Sequence, residues 1–273
     1  MKYLLLFLML FSYESCGKHK DKTNNQTTVM FEQLRDKGEV YKKSVTDAVF
    51  LKRCDKLAFK PYLTVAGITQ DLSPFEQNGK WNRDVSPCYP DSSSGSISFD
   101  GMIAVFHHIL TTKDTAMLNR FIDYAEKHDW VVGEGEYANQ LVLAPIAYQL
   151  KKVISGQTLT DIEIQMSTMT DVLTGFRGHL LASYLYLQGR MKGNLNDIEL
   201  HAMQRLWEAN MQDPMYVSLW HRYYDGNQNE AALLLLNRPE FPDIMPMTDG
   251  NFGWGSSPTS VYFLLSLAII EGK

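Results

Sequence analysis

The spacing of apolar residues along this chain predicts a series of amphipathic helices. Residues 114–128 give the clearest case, because their apolar positions recur at the three- and four-residue intervals of one helix face. These apolar side chains are Leu118, Phe121, Ile122 and Ala125. Asp114 stands where an N-cap is expected, and Lys127 stands where the carboxyl end of a helix favours a cation. The segment therefore predicts a helix with one buried face.

Similar patterns cover most of the chain after residue 28, and no segment shows the sustained two-residue alternation of a strand. Residues 97–110 are apolar on nearly every side, which predicts a buried helix. Residues 69–96 are rich in Pro, Gly, Ser, Asp and Asn and predict a long loop. Further helices are expected near residues 55–66, 137–154, 176–187, 196–210, 215–224, 229–236 and 258–270. Pro61 is expected to break the first of these or to lie in its first turn.

Short, often glycine-containing connections join many of these helices, so we predict an all-α fold of helix hairpins packed in sequence. The rhythm of helix, short turn, helix and longer loop suits hairpins arranged around an axis. Residues 29–273 are expected to form this single, toroid-like domain. The longer loops would then meet at one end and form a cleft.

The first sixteen residues have a different pattern. Lys2 precedes an apolar run at residues 4–11, and Ser15 and Cys16 follow. The run is too short to span a bilayer, and its order is typical of a secretory signal peptide. The cysteine after it resembles that of a bacterial lipoprotein signal, which is lipidated and becomes the new N-terminus. Ordinary cleavage nearby, giving a secreted or periplasmic protein, is the alternative.

Residues 17–28 contain no apolar side chain and predict a flexible tether between a membrane anchor at Cys16 and the domain. The whole chain of 273 residues is 45% hydrophobic, which favours a packed core over disorder. Its net charge is −5 and it has no basic block, so we expect no nucleic-acid partner. The run at residues 261–270 predicts a core helix, since it is half the length of a membrane span.

Cys54 and Cys88 are the other two cysteines. In an oxidising compartment they could form a disulfide, which would stabilise the fold by about 3–4 kcal/mol. Two buried free thiols are the alternative. The chain has no CxxC motif and hence no zinc-finger or redox pattern.

Two stretches carry a family resemblance. In residues 96–136, Asp100 and Gly101 open an apolar helix, the next helix ends in His-Asp-Trp at residues 128–130, and a Gly-Glu-Gly turn follows. The second stretch is residues 175–193. Together they resemble a set of uncharacterised exported bacterial and phage proteins, which in turn are similar to the α/α-toroid superfamily of carbohydrate-active enzymes. The resemblance implies a toroid fold and a carbohydrate ligand.

Glycoside hydrolysis needs two carboxyl groups across a cleft, one protonated and one ionised. Asp100 is the first candidate, as a base or charge stabiliser, because the amino end of a helix favours its anion. Glu136, with Glu134 as the neighbouring choice, is the candidate acid. Each also has a structural interpretation: Asp100 as a first-turn residue after Ser98, and the glutamates as a solvated turn.

Sugar sites also use flat aromatic faces and side chains that bond hydroxyl groups. Tryptophans in or beside glycine-rich loops and charged residues at helix starts are candidates for these roles. The candidate ligand-binding residues are Arg53, Trp81, Arg177, His179 and Trp254, with Trp130 as a further tryptophan of this kind. Packing, capping or ion pairing is the alternative for each. The run at residues 220–224 points around the whole helix and is expected mainly to pack.

No dinucleotide fingerprint, phosphate-binding loop, GxSxG elbow or HExxH motif occurs, so we expect no cofactor and no metal. The adjacent pair His107 and His108 diverges by about 100° on a helix, which is poor metal geometry. Two functions remain. The first is a lipid-anchored surface protein that binds a partner or glycan without catalysis, and the alternative is a polysaccharide-processing enzyme with an aromatic-lined cleft.

Overall fold

The structure is a computed structural model that describes residues 27–43, 45, 56–82, 97–132, 139–140, 144–160, 175–237 and 259–273. These residues form ten α-helices, which confirms the predicted all-α fold class. The helices are α1 (residues 27–43), α2 (Lys56–Val65), α3 (Phe99–Thr112), α4 (Thr115–Lys127), α5 (Ala144–Ile154), α6 (Gly175–Lys192), α7 (Asp197–Ala209), α8 (Pro214–Tyr224), α9 (Asn229–Asn237) and α10 (Thr259–Ile270).

Five of these helices, α2, α3, α6, α8 and α10, run in the same direction, and we call them the central helices. Helices α3 and α6 are parallel, because residues further along one contact residues further along the other. His107 contacts Ser183, and Thr111, one turn later, contacts Arg190. Contacts between neighbours run from α2 to α3, α6, α8 and α10 and back to α2. Their facing sides form most of the hydrophobic core.

Most of the other helices pack antiparallel against a central helix. Phe106 on α3 and Phe121 on α4 are equidistant from the turn between these helices, and their rings lie 5.5 Å apart. Trp207 on α7 and Trp220 on α8, on either side of the next turn, stack with their ring centroids 5.3 Å apart. On α1, Arg35 pairs with Glu271 just after α10, whereas the ring of Tyr41 stacks on Phe263 near its start. The fold is therefore a set of helix hairpins, as the sequence predicts.

Local chemistry explains where the helices begin. Asp114 accepts a hydrogen bond from the backbone N–H of Met117, which confirms the predicted N-cap of α4. Asn196 and Glu199 form a reciprocal capping box at the start of α7. At α8, Asp213 is the N-cap and Pro214 occupies the first position, where no N–H is needed.

Two helix predictions were wrong in detail. The helix predicted from residue 137 begins only at Ala144, so that Pro145 lies in its first turn, where its missing N–H removes no bond. Before it, strand β4 (Asn139–Gln140) pairs antiparallel with β3 (Val131–Val132). Pro61 neither breaks α2 nor lies in its first turn, but occupies the interior of that helix.

The predicted loop at residues 69–96 contains a small hairpin in its described part. A 3₁₀ turn, Ser73–Phe75, leads into β1 (Glu76–Gln77), which pairs with β2 (Lys80–Trp81) around Asn78 and Gly79. Asn-Gly between two strands favours a type I′ turn, a signal that the composition of the loop concealed. A side chain at Gly79 would lie 2.0 Å from the carbonyl oxygen of Arg120, so the hairpin packs on α4 through this glycine.

No helix in the described part of the chain has the length and hydropathy of a membrane span. Residues 261–270 are instead all buried in the core, as predicted. The proposed signal peptide with Cys16, most of the tether, Cys54 and Cys88 lie outside the described residues. Within the predicted tether, residues 27 and 28 already belong to α1.

Candidate functional site

Polar side chains of the central helices meet inside the core. The hydroxyl groups of Tyr62 on α2 and Ser183 on α6 form a short hydrogen bond. Beside them, Nε2 of His107 lies 3.0 Å from the carbonyl oxygen of Ser183, and Nδ1 lies 3.0 Å from Nη1 of Arg190. Because a guanidinium only donates, Nδ1 must accept and Nε2 must carry the proton. Burial and the charge of Arg190 hold the pKa of His107 well below its usual value, so the imidazole is neutral.

The other histidine of the pair points elsewhere. Nδ1 of His108 lies 2.8 Å from the hydroxyl of Thr64, away from the Ser183 side of α3. The predicted divergence of His107 and His108 is therefore confirmed. No group of potential metal ligands occurs in the described ranges.

Arginines occupy the carboxyl ends of the central helices. Arg190 donates to the hydroxyl of Thr111 in the last turn of α3. Arg222 donates to the carbonyl oxygens of Ile269 and Gly272 at the end of α10. Both guanidinium groups lie over the ring of Tyr186, at 5.6 and 5.9 Å from its centroid. Cations are favourable at helix carboxyl ends, so these arginines have a structural role here.

Carboxylates and phenols occur at the opposite end, where α3, α8 and α10 begin. We call these residues the Asp–Tyr cluster: Asp100, Asp213, Tyr216 and Tyr262 lie near the helix starts, and Tyr62 joins them from the second half of α2. Asp100 lies in the first turn of α3 and is 9% exposed. Its Oδ1 is buried and has no hydrogen-bond partner among the described residues. An acceptor in this state is costly, by about 1–3 kcal/mol, unless something outside the described protein bonds to it.

The charge of Asp100 affects the pKa of two phenols in the cluster. Burial, together with the charge of Asp100, raises the pKa of Tyr62 and of Tyr262 far above that of free tyrosine. The carboxylate of Asp213 and the neighbouring phenol of Tyr216 act on the pKa of Tyr262 in the same direction. The phenols therefore stay protonated at neutral pH and can donate hydrogen bonds. Combined with a carboxylate oxygen that has no hydrogen-bond partner in the described part of the chain, they form a site suited to a ligand rich in hydroxyl or N–H groups.

Among the predicted site residues whose side chains the structure describes, only Asp100 belongs to this cluster. Trp81 is a correction: it is completely buried in β2 and offers no ring face to a ligand. Trp130 is half-buried and packs on Phe121 and Tyr148. Arg177 and His179 lie in the first turns of α6, and the structure describes their backbone but not their side chains. Also outside the described residues are Arg53, Glu134, Glu136 and Trp254.

Sequence reasoning missed Tyr62, Tyr262 and Asp213. The two tyrosines lie in apolar helices and follow the same pattern as ordinary core residues. Asp213 could have been found, because an aspartate directly before a proline and an apolar run is typical of a helix start. The run at residues 220–224 packs as predicted at its buried end, where Trp220 is covered, while Tyr224 is exposed.

A small cavity lies elsewhere, between α1 and the second half of α10. Its volume is about 140 Å³. Leu264 and Leu267 form its apolar side, and the ion pair of Arg35 with Glu271 lies on its rim. Asp100 does not line it. The cavity carries no unpaired buried charge that would specify a ligand, so the Asp–Tyr cluster is the stronger candidate site.

Comparison of the chain with protein-family models, with curated proteins and with solved structures gives no match. The function must therefore be argued from the site itself.

Proposed function

We propose that this protein binds a carbohydrate at the Asp–Tyr cluster without catalysis, and that it is exported and held at the cell envelope through lipidated Cys16. The observation that carries the binding proposal is the buried Oδ1 of Asp100, which has no partner among the described residues. A sugar hydroxyl would donate to this oxygen and remove the desolvation penalty.

The surroundings of Asp100 support this choice of ligand. Its Oδ1 is an acceptor that lies near the protonated phenols of Tyr62 and Tyr262, and sugar sites commonly bring a few polar side chains of this kind together. The α/α-toroid arrangement is part of the proposal, and the closed series of contacts among the central helices supports it. Because arginines fill the carboxyl ends of these helices, we expect the ligand at the amino ends, where Asp100 and Asp213 lie.

The alternative function is glycoside hydrolysis. One observation favours it: the charges of two carboxylates, Asp100 and Asp213, act on the same phenol, Tyr262. A pair of carboxyl groups is what this chemistry needs. In this alternative, Asp213 takes the place of the predicted Glu136 as partner of Asp100.

Binding and hydrolysis are tested together by calorimetric titration with neutral oligosaccharides, followed by mass spectrometry of the sugars. Wild type should bind at least one of cellohexaose, maltohexaose, xylohexaose and hexa-N-acetylchitohexaose, and Asp100→Asn should weaken that binding at least tenfold. Asp123→Asn is the matched control, because Asp123 is exposed on α4. Unchanged binding by Asp100→Asn would overturn the proposal. Shortened products that disappear in Asp213→Asn would favour hydrolysis.

The anchor has its own test. Intact mass of the protein extracted from membranes should show a chain that begins at Cys16 and carries lipid. Cys16→Ser should release the protein into the soluble fraction. A chain that begins after Cys16, or that carries no lipid, would contradict the proposal.

A further inference from the structure

We infer that the cavity between α1 and α10 binds a small carboxylate that carries one apolar group, an aryl acid or a short alkyl acid. No member of the Asp–Tyr cluster lines this cavity. The inference is therefore independent of the proposed carbohydrate binding. It rests on the volume of the cavity, on its buried apolar side and on the charges of its rim.

The apolar side of the cavity fits one small hydrophobic group. Ala66, just after α2, and Leu264, Leu267 and Ala268 on α10 form this side, and none of them is more than 6% exposed. An apolar cavity of about 150 Å³ in a protein takes up benzene. The volume here is about 140 Å³, which gives room for one aromatic ring or a short alkyl chain.

The rim of the cavity is charged and faces solvent. It consists of Arg35, Glu39, Lys42, Glu271 and Lys273. The side chain of Arg35 is 63% exposed, whereas Leu267 is 6% exposed, so the cavity opens at the rim and closes at its apolar side. A ligand would therefore bury its apolar group and leave its polar group among these charges.

Cations outnumber carboxylates on this rim. Nζ of Lys42 pairs with Glu39. Oε1 of Glu271 lies 3.3 Å from Nε of Arg35, and Oε2 of the same carboxylate lies 2.8 Å from Nζ of Lys273. Burial alone would raise the pKa of Glu271, but the bonds from Lys273 and Arg35 lower it, so this carboxylate is ionised. One carboxylate thus serves two cations, and the described rim has an excess of one positive charge.

Arg35 is placed to hold the carboxylate of a ligand. Its hydrogen bond to Glu271 uses Nε, and its two terminal nitrogens bond to no other described side chain. A guanidinium binds a carboxylate through two parallel, charge-assisted N–H bonds. An amine would instead meet the excess positive charge of the rim. The apolar side and Arg35 together therefore select an apolar acid.

Two variants test the two parts of the site. Arg35→Gln removes the guanidinium, and it should fold because an ion pair of so exposed a side chain contributes little to stability. Ala66→Leu fills the cavity with a larger side chain and leaves the rim charges in place. Arg205→Gln is the matched control, since Arg205 is also an exposed arginine on a helix. Thermal unfolding checks that each variant is folded.

The experiment is a titration of the full chain in physiological salt, followed by ligand-observed NMR. The probes are phenylacetate, hexanoate, phenethylamine and acetate. Wild type should bind phenylacetate or hexanoate at least tenfold more tightly than phenethylamine, which has the opposite charge, and than acetate, which has no large apolar group. The tighter of the two larger acids tells whether the apolar group is aryl or alkyl.

The variants decide whether this cavity is the site. Arg35→Gln should weaken binding of the preferred acid at least fivefold, Ala66→Leu should abolish it, and Arg205→Gln should leave it unchanged. The inference is overturned if neither larger acid binds, if phenethylamine binds as tightly, or if binding survives both Arg35→Gln and Ala66→Leu. Sugar binding at the Asp–Tyr cluster is measured with oligosaccharides, so its failure and the failure of this inference are distinguishable.

Discussion

Arg190 donates a hydrogen bond to Nδ1 of His107 over 3.0 Å, inside a core where His107 is completely buried. The arginine fixes the tautomer, and Nε2–H donates a hydrogen bond to the carbonyl oxygen of Ser183. A protonated His107 would place two donors against each other at Nδ1. The cationic guanidinium of Arg190 is therefore bonded by a neutral imidazole.

This arrangement predicts how stability depends on pH. Burial and Arg190 lower the pKa of His107 in the folded state below its ordinary value of 6.5. The unfolded chain then binds the additional proton first, so stability is complete above about pH 6.5 and falls as pH drops below it. The slope from this residue should approach about 1.4 kcal/mol per pH unit.

Urea unfolding at about pH 7 and about pH 5 measures this effect. In His107→Gln the loss between the two pH values should be smaller, because a glutamine amide can accept from Arg190 and donate to Ser183 but does not titrate. His201→Gln, on the exposed side of α7, is the control and should lose as much stability as wild type. An equal loss in His107→Gln would refute the assignment.

A second prediction concerns the buried ion pair between Lys192 on α6 and Glu199 on α7. Nζ and Oε1 are 2.5 Å apart, and the side chains are 4% and 1% exposed. Lys192→Met should lower the free energy of unfolding by about 3–5 kcal/mol, because it leaves a buried carboxylate without its counter-ion. Thermal or urea unfolding gives the value.

Two further variants show whether the charge is responsible. Adding Glu199→Gln to Lys192→Met should recover part of the loss, since Gln can still bond the backbone N–H of Asn196. Lys42→Met breaks the more exposed pair with Glu39 and should change stability by less than about 1 kcal/mol. Equal effects of Lys192→Met and Lys42→Met would argue against this account.

Helix packing gives a third prediction, based on two helical glycines. A Cβ at Gly189 on α6 would lie 2.3 Å from Cζ of Tyr223 on α8, whereas a Cβ at Gly101 would meet only Ile97 at 3.3 Å and Ser98 at 3.4 Å. Gly189→Ala should therefore cost about 1–3 kcal/mol through overpacking. Gly101→Ala should change stability by less than about 1 kcal/mol, because higher helix propensity offsets the slight crowding.

Chemical unfolding compares the two alanine variants directly. Combining Gly189→Ala with Tyr223→Ala tests the cause, since removing the phenol ring removes the clash. The double variant should be more stable than the sum of the two single changes predicts. Strict additivity would mean that Gly189 is required for some other reason.

The fourth prediction concerns the hydrogen bond between Tyr62 and Ser183, whose residues are both completely buried. Ser183→Ala should lower the free energy of unfolding by about 1–3 kcal/mol, because the hydroxyl of Tyr62 loses its partner. Tyr62→Phe should lower the free energy of unfolding by a similar amount, because the hydroxyl of Ser183 then loses its partner. The double variant should cost less than the sum, and a coupling energy near zero in this cycle would contradict the bond.

Much of the fold could be predicted from the sequence, because helices depend on local patterns. The stripe of α4 and its cap at Asp114 depend on residues within a few positions of each other. The errors occurred where a local sequence feature was compatible with more than one structure. Pro61 was expected to break its helix or to lie in the first turn, but it lies inside α2. The hairpin at Asn78 and Gly79 was missed because the composition of residues 69–96 predicted only a loop.

The candidate site was predicted only at Asp100, whose place at a helix start could be seen locally. Tyr62 and Tyr262 are more than 150 positions apart and belong to apolar helices, so no local pattern joins them to Asp100. Trp81 shows the opposite error, because a tryptophan beside glycine suggests a surface loop but here fills the core.

The sequence by itself determined the helices, their caps and the order of hairpins, because backbone hydrogen bonds and apolar stripes are set by neighbouring residues. Only the tertiary structure decided which polar groups share the core. It pairs His107 with Arg190 across two helices and leaves the carboxylate of Asp100 beside two distant phenols. Such groupings depend on how parallel helices pack, and packing brings together residues that the chain itself keeps far apart.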